Sequence, residues 1–126
     1  MKKIYIFSAG SAGREILDLI KSINKTKKVW DVISYVDKSK NLQKKKIDGF
    51  DVIDPSRVKE KDNIYGICGI MNPKLRYKIY NNEILKKKLK IPNLIHPNTN
   101  ISNFSKIGKG NIIFNNVHVS FDIKIK

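Results

Sequence analysis

Residues 3–13, KIYIFSAGSAG, restrict what this chain can fold into more than any other stretch. Lys3–Ser8 is a short apolar run rich in β-branched and aromatic residues, the pattern of a buried strand. It passes directly into six small residues, Ser8-Ala9-Gly10-Ser11-Ala12-Gly13, and then into a helical period with Ile16, Leu17, Ile20 and Ile23 on one face. Strand, small-residue turn and helix is the order that a phosphate-binding βα unit requires. Small residues let the backbone approach an anion closely, and the helix N-terminus supplies N–H donors and the positive end of a dipole. The turn is a G-x-G-x-x-G pattern with serine at its first glycine. It points to a nucleotide-type ligand at Gly10, Ser11 and Gly13, against the alternative of a merely structural tight turn.

The β-α alternation continues. Val32–Val36 predicts a second strand ending at Asp37, 24 residues after Gly13, where a carboxylate can accept from a ribose or sugar hydroxyl. A lysine-rich loop leads to IDGFDVI (47–53), a small β excursion around Gly49, and Pro55 opens a short helix or turn. Ile64–Cys68 predicts the next buried strand, ending at Gly69 on the carboxyl edge where such sheets bind ligands. Asn72-Pro73 then supplies an N-cap and a proline at the first helical position. The helix is expected to run to about Lys88 with Leu75, Ile79, Ile84 and Leu85 buried, and Tyr77 and Tyr80 need no special role. Repeated alternation implies a parallel sheet with helices packed over it.

The last part of the chain has a different period. Ile101, Ile107, Ile113, Val119 and Ile125 are spaced by six without a miss, which fits neither an amphipathic helix nor a plain strand. It fits a hexapeptide β-helix, whose triangular coil points one aliphatic residue inward from each side. Ser105, Val117 and Ile123 are placed to face inward as well, with Asn111 the exception, and Gly108 follows the inward Ile107 at a corner. Three sides make one coil, so residues 101–118 complete one and 119–126 begin the next. Such repeats need about three units to bury a core, so the expectation is the front part of a longer protein.

A net charge of +15 invites a nucleic-acid partner, but 23 of the 26 basic residues are lysines, spread along the chain. Only Arg14, Arg57 and Arg76 could grip phosphates or bases bidentately. The excess therefore reads as solvated surface, with no nucleic-acid partner expected. The apolar run Ile4–Phe7 is too short for a secretion signal, and no stretch approaches the ~18 apolar residues of a spanning helix. The single Cys68 cannot form an internal disulfide and reads as a core thiol in a cytoplasmic protein with no membrane partner. One cysteine and two distant histidines, His96 and His118, make no metal site.

Three stretches, KKIYIFSAGSAGREILDLI (2–20), GICGIMNPKLR (66–76) and PNLIHPNTNISNFSKIGKGNIIFNNVHVSFDIKI (92–125), together resemble bacterial sugar O- and N-acyltransferases of the sialic-acid acetyltransferase and PglD type. Ser8 and Ala12 stand where family members commonly carry glycine and histidine. The resemblance implies an α/β fold: a Rossmann-like parallel-sheet domain over residues 1–95, then the start of a left-handed hexapeptide β-helix over 96–126. It implies transfer of acetyl from acetyl-CoA to an amino or hydroxyl group of a sugar, often UDP-linked. Gly10, Ser11, Gly13, Asp37, Gly69 and Asn72 would then hold the nucleotide sugar, and Arg76 a phosphate. A histidine base would take the acceptor's proton. In relatives that base lies on a later coil, and acetyl-CoA binds between neighbouring β-helices of a trimer. His118, about one coil too early and pointing outward, is the candidate this sequence offers, while His96 reads as a hydrogen-bonded junction residue. The chain is thus expected to bind a nucleotide sugar, alone or as a homo-oligomer, without acetyl-CoA and without turnover. The alternatives are a stand-alone nucleotide-binding module and an NAD-binding, dehydrogenase-like domain, the latter opposed by Ser8 and the hexapeptide tail.

Overall fold

The computed structural model describes residues 1–61, 63–99, 108–115 and, by backbone only, 118–119. Strand β1 (Lys2–Phe7) lies at the centre of a four-stranded sheet, between β2 (Trp30–Val36) and β4 (Ile64–Cys68), with β3 (Val52–Ile53) outside β2. All three pairings are parallel, as the β-α alternation requires. Beyond β4, the Gly66 N–H donates to the Lys90 carbonyl at 2.8 Å and the Lys90 N–H to the Ile64 carbonyl at 2.9 Å, adding a one-residue parallel bridge at that edge.

Alternation along the strands divides the core in two. Ile4, Ile6 and Ile67 pack on one face against Ile16, Leu17, Leu19 and Ile20 of helix α1 (Ser11–Thr26). Tyr5, Phe7, Val36 and Cys68 pack on the other against Val58, Tyr80, Ile84 and Leu89. Gly10, the N-cap of α1, offers no side chain, and the first turn holds no acidic residue, so the apolar stripe must hold this helix in place. Each fully buried Ile or Leu contributes about 1.5–3 kcal/mol, well above the ~1 kcal/mol of a good cap. Asn24 ties down the far end: its Oδ1 accepts from the Val29 and Trp30 N–H groups and its Nδ2 donates to the Trp30 carbonyl.

Glycine sets how close α1 comes to the sheet. A Cβ on Gly13 would lie 1.9 Å from the Ser8 carbonyl oxygen, and one on Gly69 would lie 2.8 Å from the Gly13 backbone. The first turn of α1 is therefore wedged between the end of β1 and the end of β4, with backbone touching backbone.

The Ile47–Phe50 excursion is a two-residue hairpin turn. Asp48 (φ 52°) and Gly49 (φ 84°) both take positive φ, and the Ile47 and Phe50 backbones exchange hydrogen bonds of 2.9 and 3.0 Å. A short helix α2 (Lys40–Gln43), absent from the sequence reading, starts at Ser39, whose side chain accepts from the Leu42 N–H. A 3-10 turn at Pro55–Arg57 is capped by Asp54, whose carboxyl is held below its ordinary range by the Ser56 N–H and hydroxyl.

Helix α3 (Pro73–Ile79) begins as expected, with the Asn72 Oδ1 accepting from the Lys74 and Leu75 N–H groups. It departs from expectation after Ile79, where a π turn (Tyr80–Ile84) is closed by the Leu85 N–H donating to the Tyr80 carbonyl at 2.8 Å. Ile84 is buried as expected, and Tyr80 joins it on the same face. Leu75, expected in the core, is 50% exposed. Tyr80, expected to be incidental, is buried, and its hydroxyl accepts from the Cys68 N–H at 3.1 Å.

A second sheet joins β5 (Leu94–Ile95), β6 (Ile112–Ile113) and β7 (His118–Val119). Leu94 pairs with Ile112 and Ile95 with Ile113 in parallel, so partners lie 18 residues apart, the length of one hexapeptide coil. Beneath them Asn111 stacks on Asn93, its N–H and Nδ2 donating to the Asn93 Oδ1 at 2.9 and 3.1 Å. Asn111 is 4% exposed, so it faces inward after all: its amide is satisfied within the stack. Leu94 and Ile112 join the α1 side of the core.

The described strands do not make a β-helix, because β7 runs antiparallel to β6, pairing Ile112 with Val119 and Ile113 with His118. The expected inward positions Ile101, Ser105, Ile107, Val117, Ile123 and Ile125 lie outside the described residues.

Gly13→Ala is expected to lower stability by about 3 kcal/mol, since neither the helix nor the Ser8 backbone can retreat without unpacking the other. A urea titration followed by far-UV circular dichroism checks this; an unchanged midpoint would show that α1 does not seat as closely as described.

Candidate functional site

The carboxyl ends of β1, β2 and β4 open into a cleft of about 210 Å³. Phe7, Val36, Ile70, Leu75 and Ile79 form its apolar walls, and Ser8, Asp37, Lys38 and Glu83 supply its polar groups. A larger hollow of about 530 Å³ lies at the opposite end of the sheet, beside Lys3, Tyr5, Lys59 and Lys61. Size favours the hollow, but the cleft lies at the carboxyl edge of the sheet, where ligands of such folds bind, and includes Ser8 of the small-residue turn. The cleft is therefore the candidate site.

Ser8 shapes its floor. Its backbone takes φ 101°, a region that L-residues rarely adopt, which explains why glycine is the common residue at this step of such turns. The Ser8 Oγ accepts from the Gly10 N–H at 3.4 Å, so the side chain partly offsets the strain that it creates. Gly10 and Ser11 are exposed at the head of α1. Gly13 and Gly69 are buried beneath the turn, where the close backbone contact occupies them.

Asp37 stands at the end of β2, and both of its carboxylate oxygens are engaged. Oδ2 accepts from the Ala9 N–H and Oδ1 from the Ser39 N–H, each at 2.9 Å. The side chain thus ties the β1–α1 turn to the β2–α2 turn. Two other predicted residues have local duties on α3. Asn72 caps the helix, and Arg76 donates from Nη1 to the Met71 carbonyl at 2.9 Å. Burial pulls the Arg76 guanidinium below its ordinary range, countered by the neighbouring Cys68 and Tyr80. Neither residue lines the cleft.

Cys68 is a buried free thiol, pushed up to about 11 by desolvation, as befits a core residue and not a nucleophile. The His96 Nδ1 accepts from the Asn98 N–H, and the His96 N–H donates to the Ile113 carbonyl, so it serves the junction between the sheets. The backbone of His118 pairs with Ile113 in β7. Among the described residues, no three His, Cys, Asp or Glu side chains gather as metal ligands, and no helix is long and apolar enough to cross a membrane.

Three groups escaped the sequence reading. Lys38 follows Asp37 directly and brings an ammonium group to the cleft. Arg14, one residue past Gly13, reaches the Asp48 carboxylate at 3.4 Å. The same Asp48 oxygen accepts from the Tyr35 hydroxyl at 3.5 Å, and burial together with the Asp48 charge pushes Tyr35 up to about 12. The Asp48-Gly49 pair was a visible turn signal for the position of this arm. Glu83 enters the cleft only because the π turn rotates it there, which no periodicity announces.

Asp37→Ala removes two charge-assisted hydrogen bonds and is expected to cost about 2–3 kcal/mol of stability, measured by denaturant unfolding. In the same assay Ser8→Gly is expected to gain up to about 1 kcal/mol by relieving the positive φ, and a loss would mean that the Ser8 hydroxyl contributes more than its backbone strain costs.

Residues 3–82, nearly two-thirds of the chain, match the family described as the PglD N-terminal domain. No curated protein matches the chain.

Proposed function

Because the chain belongs to the PglD N-terminal domain family, we propose that it binds a UDP-linked amino or hydroxyl sugar, as the substrate-holding part of an acetyl-CoA-dependent sugar acetyltransferase of bacterial surface-glycan or sialic-acid biosynthesis. The observation that carries this reading is the apolar cleft at the carboxyl edge of the sheet, lined by Ser8 of the turn that leads into a helix start with no side-chain cap and no acidic residue in its first turn. An uncapped N-terminus is electrostatically suited to a diphosphate. Gly10 and Ser11 present exposed backbone for it, and Lys38 adds a cationic charge at the cleft. Gly13 and Gly69 contribute by letting the helix start sit this low on the sheet, and Asp37 by holding the two turns that frame the cleft. Asn72 and Arg76 act by ordering the start of α3, whose Leu75 and Ile79 form one wall.

The 18-residue parallel register between β5 and β6, with its stacked asparagines, has the length of one hexapeptide coil, although the antiparallel β7 does not continue it. Acetyl-CoA and the histidine base belong to later coils in such enzymes, and no residue of this chain is assigned to either.

Isothermal titration of UDP, UDP-N-acetylglucosamine, CMP-sialic acid, NAD and acetyl-CoA tests the reading. Saturable binding of the UDP ligands, with acetyl-CoA silent, is the expected outcome. A preference for NAD would move the chain to the dehydrogenase-like alternative, and silence from every nucleotide would sink the proposal.

A further inference from the structure

In a sheet of this type, the acidic residue closing the second strand is the obvious acceptor for a ligand hydroxyl, and here that residue is Asp37. The hydrogen bonds argue otherwise. Both Asp37 oxygens already accept from backbone N–H groups, and turning either away would release a turn that frames the cleft. Glu83 lines the same cleft, is half-buried, and forms no hydrogen bond or ion pair among the described residues. The π turn that places it there is a costly departure from a regular helix, of the kind that recurs at functional sites. The cleft it enters is walled by the apolar side chains of Phe7, Val36, Ile70, Leu75 and Ile79, with Ser8, Asp37 and Lys38 its other polar groups. Within such walls an acceptor with no partner of its own discriminates between ligands.

We propose that Glu83 is the side chain that accepts a hydrogen bond from the nucleoside part of the ligand, with Asp37 serving as the brace between the two turns. The proposal rests on the nucleotide-sugar reading above. The donor is neutral, either a ribose hydroxyl or the imide N–H of the base, and a carboxylate can accept from both.

The electrostatics agree. Burial raises the Glu83 carboxyl above its ordinary range; Lys38 draws it back down, and Asp37 and Asp54 push it up, while the Cys68 thiol beneath it is neutral at ordinary pH. The folded state thus binds the Glu83 proton more tightly than the unfolded chain does, and the protein loses stability as pH rises through that window. A ligand donor would favour the charged form and so offset part of this loss. Binding should therefore weaken as pH falls through the raised Glu83 range.

Titration of UDP into the full chain, its Glu83→Ala, Glu83→Gln and Asp37→Asn variants, from pH 5 to 8, is the test. Glu83→Ala is expected to weaken UDP roughly tenfold or more, while unfolding no more easily than wild type at neutral pH. Glu83→Gln keeps an acceptor, so it should lose less affinity and flatten the pH profile. Asp37→Asn should unfold more easily, as a brace would. CDP lacks the imide donor and 2′-deoxy-UDP the hydroxyl; whichever binds wild type more weakly, and Glu83→Ala no differently from UDP, identifies the donor. Wild-type affinity in Glu83→Ala, with binding lost in a normally stable Asp37→Asn, would overturn the assignment and restore Asp37. If wild type binds no nucleotide, the nucleotide-sugar reading itself falls, and this assignment with it.

Discussion

Everything at the carboxyl edge of this sheet depends on the missing side chain of Gly13. With no Cβ there, the first turn of α1 rests on the Ser8 carbonyl, and Gly69 at the end of β4 rests in turn on Gly13. That contact fixes the height of the helix start above the strand ends. The small-residue turn then has no choice but to bend sharply, which forces Ser8 to positive φ. The bent turn presents the Ala9 N–H to Asp37, and Asp37 gathers the loop after β2 into the same framework. A steric rule at one residue thus propagates through backbone strain to a hydrogen-bonded rim around the cleft.

The sheet was legible in the sequence because its signals are local. Apolar runs at β1, β2 and β4, the stripe of Ile16, Leu17 and Ile20, and the Asn72-Pro73 start of α3 each depend on a few adjacent residues, and all are present. The residues of the candidate site were less legible, since the sequence names a residue but not the partners that occupy it. Gly10, Ser11, Gly13, Asp37 and Gly69 do converge on one edge, yet Asp37 is engaged by two backbone donors and Asn72 by its own helix. Glu83 and the burial of Tyr80 were out of reach for a different reason. A π turn adds one residue to a single helical turn, which a 3.6 period does not announce, although Ile84 is buried and Leu85 packs against the core as that period expects.

The second sheet shows how far a periodic signal carries. The spacing of six led to a coil over residues 101–118, much of which lies outside the described residues. Among those described, Leu94 pairs with Ile112 and Asn93 with Asn111, 18 residues apart. It gave Asn111 the wrong side, because a polarity rule treats asparagine as solvent-facing, whereas a stacked pair of amides satisfies itself inside. The antiparallel direction of β7 is a feature that a repeat count does not announce.

The π turn has a further consequence for sequence change. An ordinary helix advances about 100° per residue, so an inserted or deleted residue swings everything after it around the axis. The Tyr80–Ile84 segment already absorbs one such extra residue, with Tyr80 locked to the Cys68 N–H before it and Leu89 packed behind it. Losing one residue there would return the helix to a regular winding, keep Tyr80 and the positions after the turn on their present faces, and change which side chain stands at the turn itself. Relatives that differ in length at this point would therefore be expected to carry a different side chain over the cleft, making a one-residue gap an inexpensive route to altered ligand choice on an unchanged sheet.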